Sequence, residues 1–183
     1  VPAADYSGAD AFTYVAVDPS GRESDPTTVA LTVGAVNDAP VAADDTYSTQ
    51  EDLGFTALAA VGVLANDDDP DDGDVLSAVV VTGPAHGTLL LDANGSFSYS
   101  PDQNFNGTDS FTYQASDGQL NSAVRTASIL VTAANDAPVL HDDQYAVVGG
   151  QTLTVDAPGV LDNDEDVDGY LLTVVSVGDE PEH

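Results

Sequence analysis

The residues best suited to chemistry in this chain are carboxylates. Residues 63–76 read VLANDDDPDDGDVL, where Asp67, Asp68, Asp69, Asp71, Asp72 and Asp74 put six carboxylates into eight positions. Apolar pairs close both ends, Val63 with Leu64 and Val75 with Leu76, so the loop is held against a core rather than loose in solvent. Like charges about 4 Å apart repel by roughly 1 kcal/mol in water and by more near a protein surface. A compact loop of this kind calls for a cation. Ca2+ suits it best, because it takes about 6–8 oxygen ligands in flexible geometry. The spacing of Asp67, Asp69 and Asp71 turns alternate side chains inward. A second copy at residues 160–171 reads VLDNDEDVDGYL, with Asp164, Asp166 and Asp168 ahead of Gly169, the D-x-D-x-D-G opening of many calcium loops. It is not an EF-hand. Val175 stands where that loop needs a bidentate Glu, and the flanks read as strand.

The elements that must hold these loops follow from composition and repetition. The chain has 183 residues and a formal charge of −30, with Arg22 and Arg125 as its only strong cations. No basic patch is available to meet phosphates, which excludes nucleic acid and anionic membrane surfaces as partners. Asp outnumbers Glu 27 to 5. A solubilising or salt-adapted surface could use either acid, whereas turns and metal loops favour the shorter one; a halophilic source would also give a charge of this size. There is no Cys, so metal rather than disulfides is expected to staple an extracellular bacterial protein. No apolar run is long enough to cross a bilayer as a helix. The chain begins on Val1 and reads as a piece of a longer protein.

Self-comparison gives the organisation. Asn37-Asp38-Ala39-Pro40-Val41 recurs as Asn135-Asp136-Ala137-Pro138-Val139, and Asp44-Asp45-Thr46-Tyr47 as Asp142-Asp143-Gln144-Tyr145. Residues 6–14, YSGADAFTY, return as FNGTDSFTY at 105–113. The period is about 98 residues, the size of one β-sandwich. We therefore expect the end of one repeat at 1–36, a complete repeat at 37–134 and the start of a third at 135–183. Within the complete repeat, seven strands are predicted at 45–48, 53–58, 76–82, 87–92, 96–100, 109–116 and 125–133, with Asn94-Gly95 as a hairpin turn. No convincing amphipathic helix appears, which predicts an all-β chain of antiparallel Ig-like sandwiches in tandem. Phe111, Tyr113, Phe12 and Tyr14 lie on strands of strict period two and are read as core. The three histidines share no catalytic spacing, and nothing pairs a nucleophile with a base, so no enzyme is expected.

These features together resemble the cadherin-like tandem repeats of large bacterial surface proteins and RTX-type adhesins. The resemblance rests on NDAP at 37–40 and 135–138, on the acidic loops at 66–74 and 163–169, on the hairpin GTLLLDANGSFSYSP at 87–101, and on F-x-Y-x-A-x-D from Phe111 to Asp117. Cadherins carry a similar Asn-Asp-Asn-Ala-Pro linker that shares calcium between domains. The resemblance thus implies ligand roles for Asn37, Asp38, Asn135 and Asp136, and for Asp117. The linker also makes physical sense by itself. Pro40 and Pro138 impose an extended junction. Asp44, Asp45, Glu51 and Asp52 follow the first, and Asp142 and Asp143 the second. An ion bridging such groups would turn a hinge into a stiff joint. The loop at 66–74 is one residue longer than its copy, so Asp67, Asp69, Asp71 and Asp74 all stand as candidates there.

The expected function is a calcium-binding structural or adhesive module at an extracellular bacterial surface. Its partners would be copies of itself, in a tandem array or in a head-to-tail fibre where the last stump of one chain completes the first stump of the next. A cell-surface or polysaccharide ligand is a further partner. The rival reading is a carbohydrate-binding or spacer module of a large secreted protein. The absence of Trp and of an exposed aromatic row argues against sugar stacking.

Overall fold

The structure, a computed structural model, describes residues 1–3, 6–71 and 73–178. Nine strands form among them: β1 (Gly8–Tyr14), β2 (Thr27–Val33), β3 (Asp45–Gln50), β4 (Phe55–Ala57), β5 (Ser77–Thr82), β6 (Gly87–Leu91), β7 (Phe97–Pro101), β8 (Gly107–Ser116) and β9 (Arg125–Thr132). The chain is all-β, with two single 3-10 turns and no α-helix among the described residues. Among the described residues no helix is long and apolar enough to cross a membrane. The chain divides into two compact units, 1–131 and 132–183.

In the first unit the complete repeat builds two facing sheets, one ordered β3-β9-β8-β5 and one ordered β4-β7-β6. The period-two alternation decides what faces inward. Phe111, Tyr113 and Ala115 of β8, Ala127, Ile129 and Val131 of β9, and Phe97 and Tyr99 of β7 are all buried. Phe97 meets the edges of Tyr47 at 4.8 Å and Phe111 at 5.3 Å between ring centroids. Such edge contacts each add about 0.5–1.5 kcal/mol beyond the area they bury. The hairpin β6–β7 turns at Asn94-Gly95, with Gly95 at a φ of 83° that other residues adopt only with strain.

That turn also positions the acidic loop. The backbone N–H of Val63 donates to the Gly95 carbonyl at 3.0 Å, and the Val63 side chain is buried in the core. Gly62 lies so close to Gly95 that a Cβ there would run into its carbonyl. The chain therefore enters the loop from a fixed point.

The hairpin β1–β2 precedes the complete repeat in the same unit, with Phe12 opposite Val29 and Tyr14 opposite Thr27. Here the expectation of core packing is corrected. Phe12 and Tyr14 are 53% and 52% exposed, while their counterparts Phe111 and Tyr113 are 1% and 0%. Among the described residues, the strands that cover the latter pair, β4 and β7, have no counterpart over β1–β2.

The second unit carries a 3-10 turn at Gly159–Leu161 and a bridge between Val139 and Glu165, but no strand among its described residues. Residues 143–148 and 173–178 match β3 and β5 in sequence. A strand needs a neighbour to pair with, and among the described residues nothing pairs with either stretch.

Candidate metal centre

The acidic loop of the complete repeat is tied to the linker that precedes it. Val41 and Asp68 exchange both backbone hydrogen bonds, at 2.8 and 3.0 Å. The N–H of Ala43 donates to Asp67 Oδ1 at 2.9 Å, and the N–H of Asp38 donates to Asp71 Oδ2 at 2.7 Å. Asn66 Nδ2 donates to the Asp44 carbonyl at 3.3 Å. The N–H of Asp71 curls the loop inward by donating to Asp69 Oδ1 at 2.9 Å.

This curl brings Asp69 and Asp74 to Asp117, which lies beyond the end of β8. The three offer carboxylate oxygens that all lie within 4.8 Å of one another. Asp117 Oδ1 accepts from the N–H groups of Gln119 at 2.6 Å and Leu120 at 2.7 Å. Its Oδ2 accepts from Asn37 Nδ2 at 2.8 Å, and Asn37 Oδ1 accepts from Gln119 Nε2 at 2.6 Å. The Leu120 and Gln119 N–H groups, then the Asn37 amide, hold the Asp117 carboxyl below the usual carboxylate range. It is therefore ionised at neutral pH. Asp69 Oδ2 is buried and has no hydrogen-bond partner among the described residues. A buried carboxylate oxygen without a donor is costly, and a hard divalent cation is the partner that this donor set fits. Such an ion supplies positive charge that offsets the repulsion among the three carboxylates. A hollow of about 400 Å³ beside them is lined by Ser7, Ala35, Val36, Asn37, Asp71, Asp74 and Gln119, so the end of the β1–β2 hairpin borders the cluster.

The remaining candidates of the first junction lie against other partners. Asp45 is buried under Tyr113, whose hydroxyl lies 2.9 Å from Asp45 Oδ2, 2.9 Å from the Ala43 carbonyl, 2.7 Å from the Val63 carbonyl and 3.2 Å from Asp67 Oδ2. Burial, countered in part by that hydroxyl, pushes the Asp45 carboxyl up to about 6, and burial raises Asp67 too. Asp44 accepts from the N–H of Thr126 at 2.9 Å and so fixes the linker to β9. Glu51 and Asp52 lie beyond the far end of β3, six or seven residues from Asp45 and so about 20 Å away along an extended strand. There the buried Glu51 accepts from Asn106 Nδ2 at 3.2 Å, and Asp52 accepts from the N–H of Asn104 at 3.1 Å.

The second unit repeats the linker-to-loop wiring bond for bond. Asn135 Nδ2 donates to the Asp136 carbonyl at 2.9 Å, as Asn37 does to Asp38 at 3.1 Å. The N–H of Asp136 donates to Asp168 Oδ2 at 2.8 Å, and that of His141 to Asp164 Oδ1 at 2.8 Å. The N–H of Asp168 donates to Asp166 Oδ1 at 3.0 Å, and Asn163 Nδ2 to the Asp142 carbonyl at 3.2 Å. Asp143 accepts from the Tyr145 hydroxyl at 3.4 Å. Tyr170 stands in this loop where Asp74 stands in the first.

One residue of the same kind escaped the sequence analysis. Asp18 ends Phe12-Thr13-Tyr14-Val15-Ala16-Val17-Asp18, the same F-x-Y-x-A-x-D pattern that ends on Asp117. Its Oδ1 accepts from the N–H groups of Ser20 and Arg22, both at 2.9 Å, as Asp117 does from its own turn. The pattern, searched for a second time, would have found it.

Comparison with known proteins agrees with this architecture. Integrin beta-like protein E of Dictyostelium discoideum is 28% identical over 184 residues, covering 91% of this chain and 9% of that protein. Integrin beta-like protein C of the same organism is 29% identical over 187 residues, covering 89% and 9%. The chain thus spans less than a tenth of these relatives. The structure of human mucin-like protocadherin EC1-2 is similar in fold, at a TM-score of 0.50 and 17% identity, over 73% of this chain and 72% of that one. A family model for the bacterial cadherin-like domain matches residues 37–133, more than half of the chain and the span of the seven-stranded repeat with its linker and acidic loop. The chain belongs to the bacterial cadherin-like domain family.

Proposed function

We propose that this chain is a calcium-stiffened structural and adhesive module of an extracellular surface protein, with copies of its own repeat as partners. Cadherin-like domains are typically extracellular, structural or adhesive, and generally non-enzymatic. Cadherin domains generally bind Ca2+ and commonly associate with their own kind. The observation that carries the reading is the convergence of Asp69, Asp74 and Asp117, with the buried Asp69 Oδ2 lacking a donor and Asn37 tying Asp117 to the linker. Asp69, Asp74 and Asp117 are the proposed ligands, with Asn37, Asp38 and Asp71 holding the linker against them. The loop of Asp164, Asp166 and Asp168, with Asn135 and Asp136, is proposed as a second calcium loop whose ligand set differs from the first, since Tyr170 replaces Asp74. The expected repeats at 1–36, 37–134 and 135–183 then become links of an array, stiff while the ions are bound.

The test is thermal unfolding and small-angle scattering in calcium and in EDTA. A ligand bound only by the folded state at about 100 times its Kd adds about 2.7 kcal/mol. For a domain of this size that corresponds to a rise in Tm of about 10–20 °C. Unchanged melting and an unchanged scattering radius on chelation would defeat the proposal.

A further inference from the structure

The two oxygens of the Asp117 carboxylate are held in different ways. Oδ1 accepts from the N–H groups of Gln119 and Leu120, at 2.6 and 2.7 Å, which fills both of its lone pairs. Oδ2 accepts from Asn37 Nδ2 at 2.8 Å and keeps one lone pair. The same Asn37 nitrogen donates to the Asp38 carbonyl at 3.1 Å, so both of its hydrogens are engaged. The Asn37 carbonyl oxygen accepts from Gln119 Nε2 at 2.6 Å. Gln119 therefore closes a ring of hydrogen bonds. Its main chain binds Oδ1, and its side chain reaches Oδ2 through Asn37.

We propose that Gln119 is a positioning residue of the calcium site, which locks the Asn37 amide so that Asn37 aims the open lone pair of Asp117 Oδ2 at the ion. This rests on the calcium reading above and says how its linker is engaged. An asparagine amide can turn over and exchange its oxygen with its nitrogen. Turned over, Asn37 would set its carbonyl against the Asp117 carboxylate, two acceptors facing each other. The Gln119 donor holds the oxygen on its own side and keeps the nitrogen on Asp117. The turn itself does not call for a glutamine. The matching turn after Asp18 carries Ser20 at this position, and its hydroxyl bonds its own aspartate at 2.6 Å. The arrangement gives Asn37 a role other than the ligation that its NDAP context implies, since protein groups engage both ends of its amide. It also ties the ion to the linker. Whatever orders Asp117 orders Asn37, and by linkage a docked Asn37 favours the ion.

Calorimetric titration of calcium into the full chain tests this, beside Gln119→Ala, Gln119→Glu, Asn37→Ala and the double variant Gln119→Ala, Asn37→Ala. Gln119 is exposed and Asn37 half-buried, so these changes leave the core intact. Gln119→Ala should weaken binding about three- to tenfold with the ion count unchanged. Gln119→Glu adds a negative charge, which by attraction alone would tighten binding. It cannot donate to Asn37, so it should weaken binding instead. Because Gln119 acts through Asn37, the double variant should bind as Asn37→Ala does. Tighter binding by Gln119→Ala or Gln119→Glu, or two losses that simply add, would overturn the proposal. A second readout needs no ion. In EDTA the Asn37 side-chain amide hydrogens, followed by NMR, should exchange faster in Gln119→Ala than in the wild type. Equal exchange in the two proteins would overturn the lock whatever the titration shows. Faster exchange in a chain that binds no calcium would sink the ion site and leave the lock standing.

Discussion

Replacing Tyr113 by Phe removes one oxygen from the centre of the repeat and nothing else. The ring is fully buried, and its hydroxyl lies between 2.7 and 3.3 Å from two carbonyls and two carboxylates. The single proton of this hydroxyl is shared among the Ala43 carbonyl of the linker, the Val63 carbonyl at the entry to the acidic loop, Asp45 and Asp67. A hydrogen bond to a charged acceptor contributes about 1.5–3 kcal/mol. The loss should therefore be about 2–3 kcal/mol, since the two carbonyls lose a neighbour as well. At about 4–8 °C per kcal/mol for a domain of this size, Tm should fall by roughly 10–20 °C. The loss should also depend on pH. The Tyr113 hydroxyl acts to lower the pKa of Asp45, which burial has pushed up to about 6. Removing the hydroxyl penalises the charged form of Asp45, so the variant loses most above pH 6 and less below it, where Asp45 is protonated in both proteins. Urea unfolding at pH 5 and pH 7.5 measures both effects. A loss below about 0.5 kcal/mol, or one identical at the two pH values, would refute the claim that this hydroxyl organises the carboxylates.

Two other substitutions follow from the same geometry. Gly62→Ala drives a Cβ into the Gly95 carbonyl and should destabilise the repeat by about 1–3 kcal/mol; an unchanged urea midpoint would mean that the loop entry is not fixed there. Asp109 accepts from the N–H groups of Ala85, His86 and Ser110 and from the Tyr99 hydroxyl. Burial works to raise its carboxyl, but these four donors outweigh it and leave it below the usual range. Its contribution is therefore present above the unfolded-state pKa and lost as pH falls through the lower folded-state value. Asp109→Ala should cost about 2–4 kcal/mol at pH 7, and the gap from wild type should narrow in strong acid. A gap that stayed constant down to pH 2 would count against the ionised carboxylate.

The strands were legible because burial on one face writes a period of two, seen in Phe111, Tyr113 and Ala115 and again in Ala127, Ile129 and Val131. The repeat was legible from NDAP and the acidic loops. The fate of each carboxylate was much less so, for residue type does not encode direction. Asp67 and Asp69 are two apart in one loop, yet Asp67 turns to Tyr113 and Asp69 to Asp117. Glu51 is near Asp45 in sequence, but the extended strand between them carries it to the opposite end of the repeat. Asn37 and Asp117 are 80 residues apart and meet only because β8 returns its end to the linker. The exposure of Phe12 and Tyr14 was also hidden from the pattern, since alternation marks the inward face but not whether anything covers it.

Calorimetric titration of calcium into the chain, beside an Asp69→Asn, Asp117→Asn double variant, tests the central claim most directly. The account predicts saturable binding to the wild type, with at least one ion lost in the double variant while the fold, read by circular dichroism, persists. Heats that match buffer dilution for the wild type, or an ion count that the two substitutions leave unchanged, would contradict it.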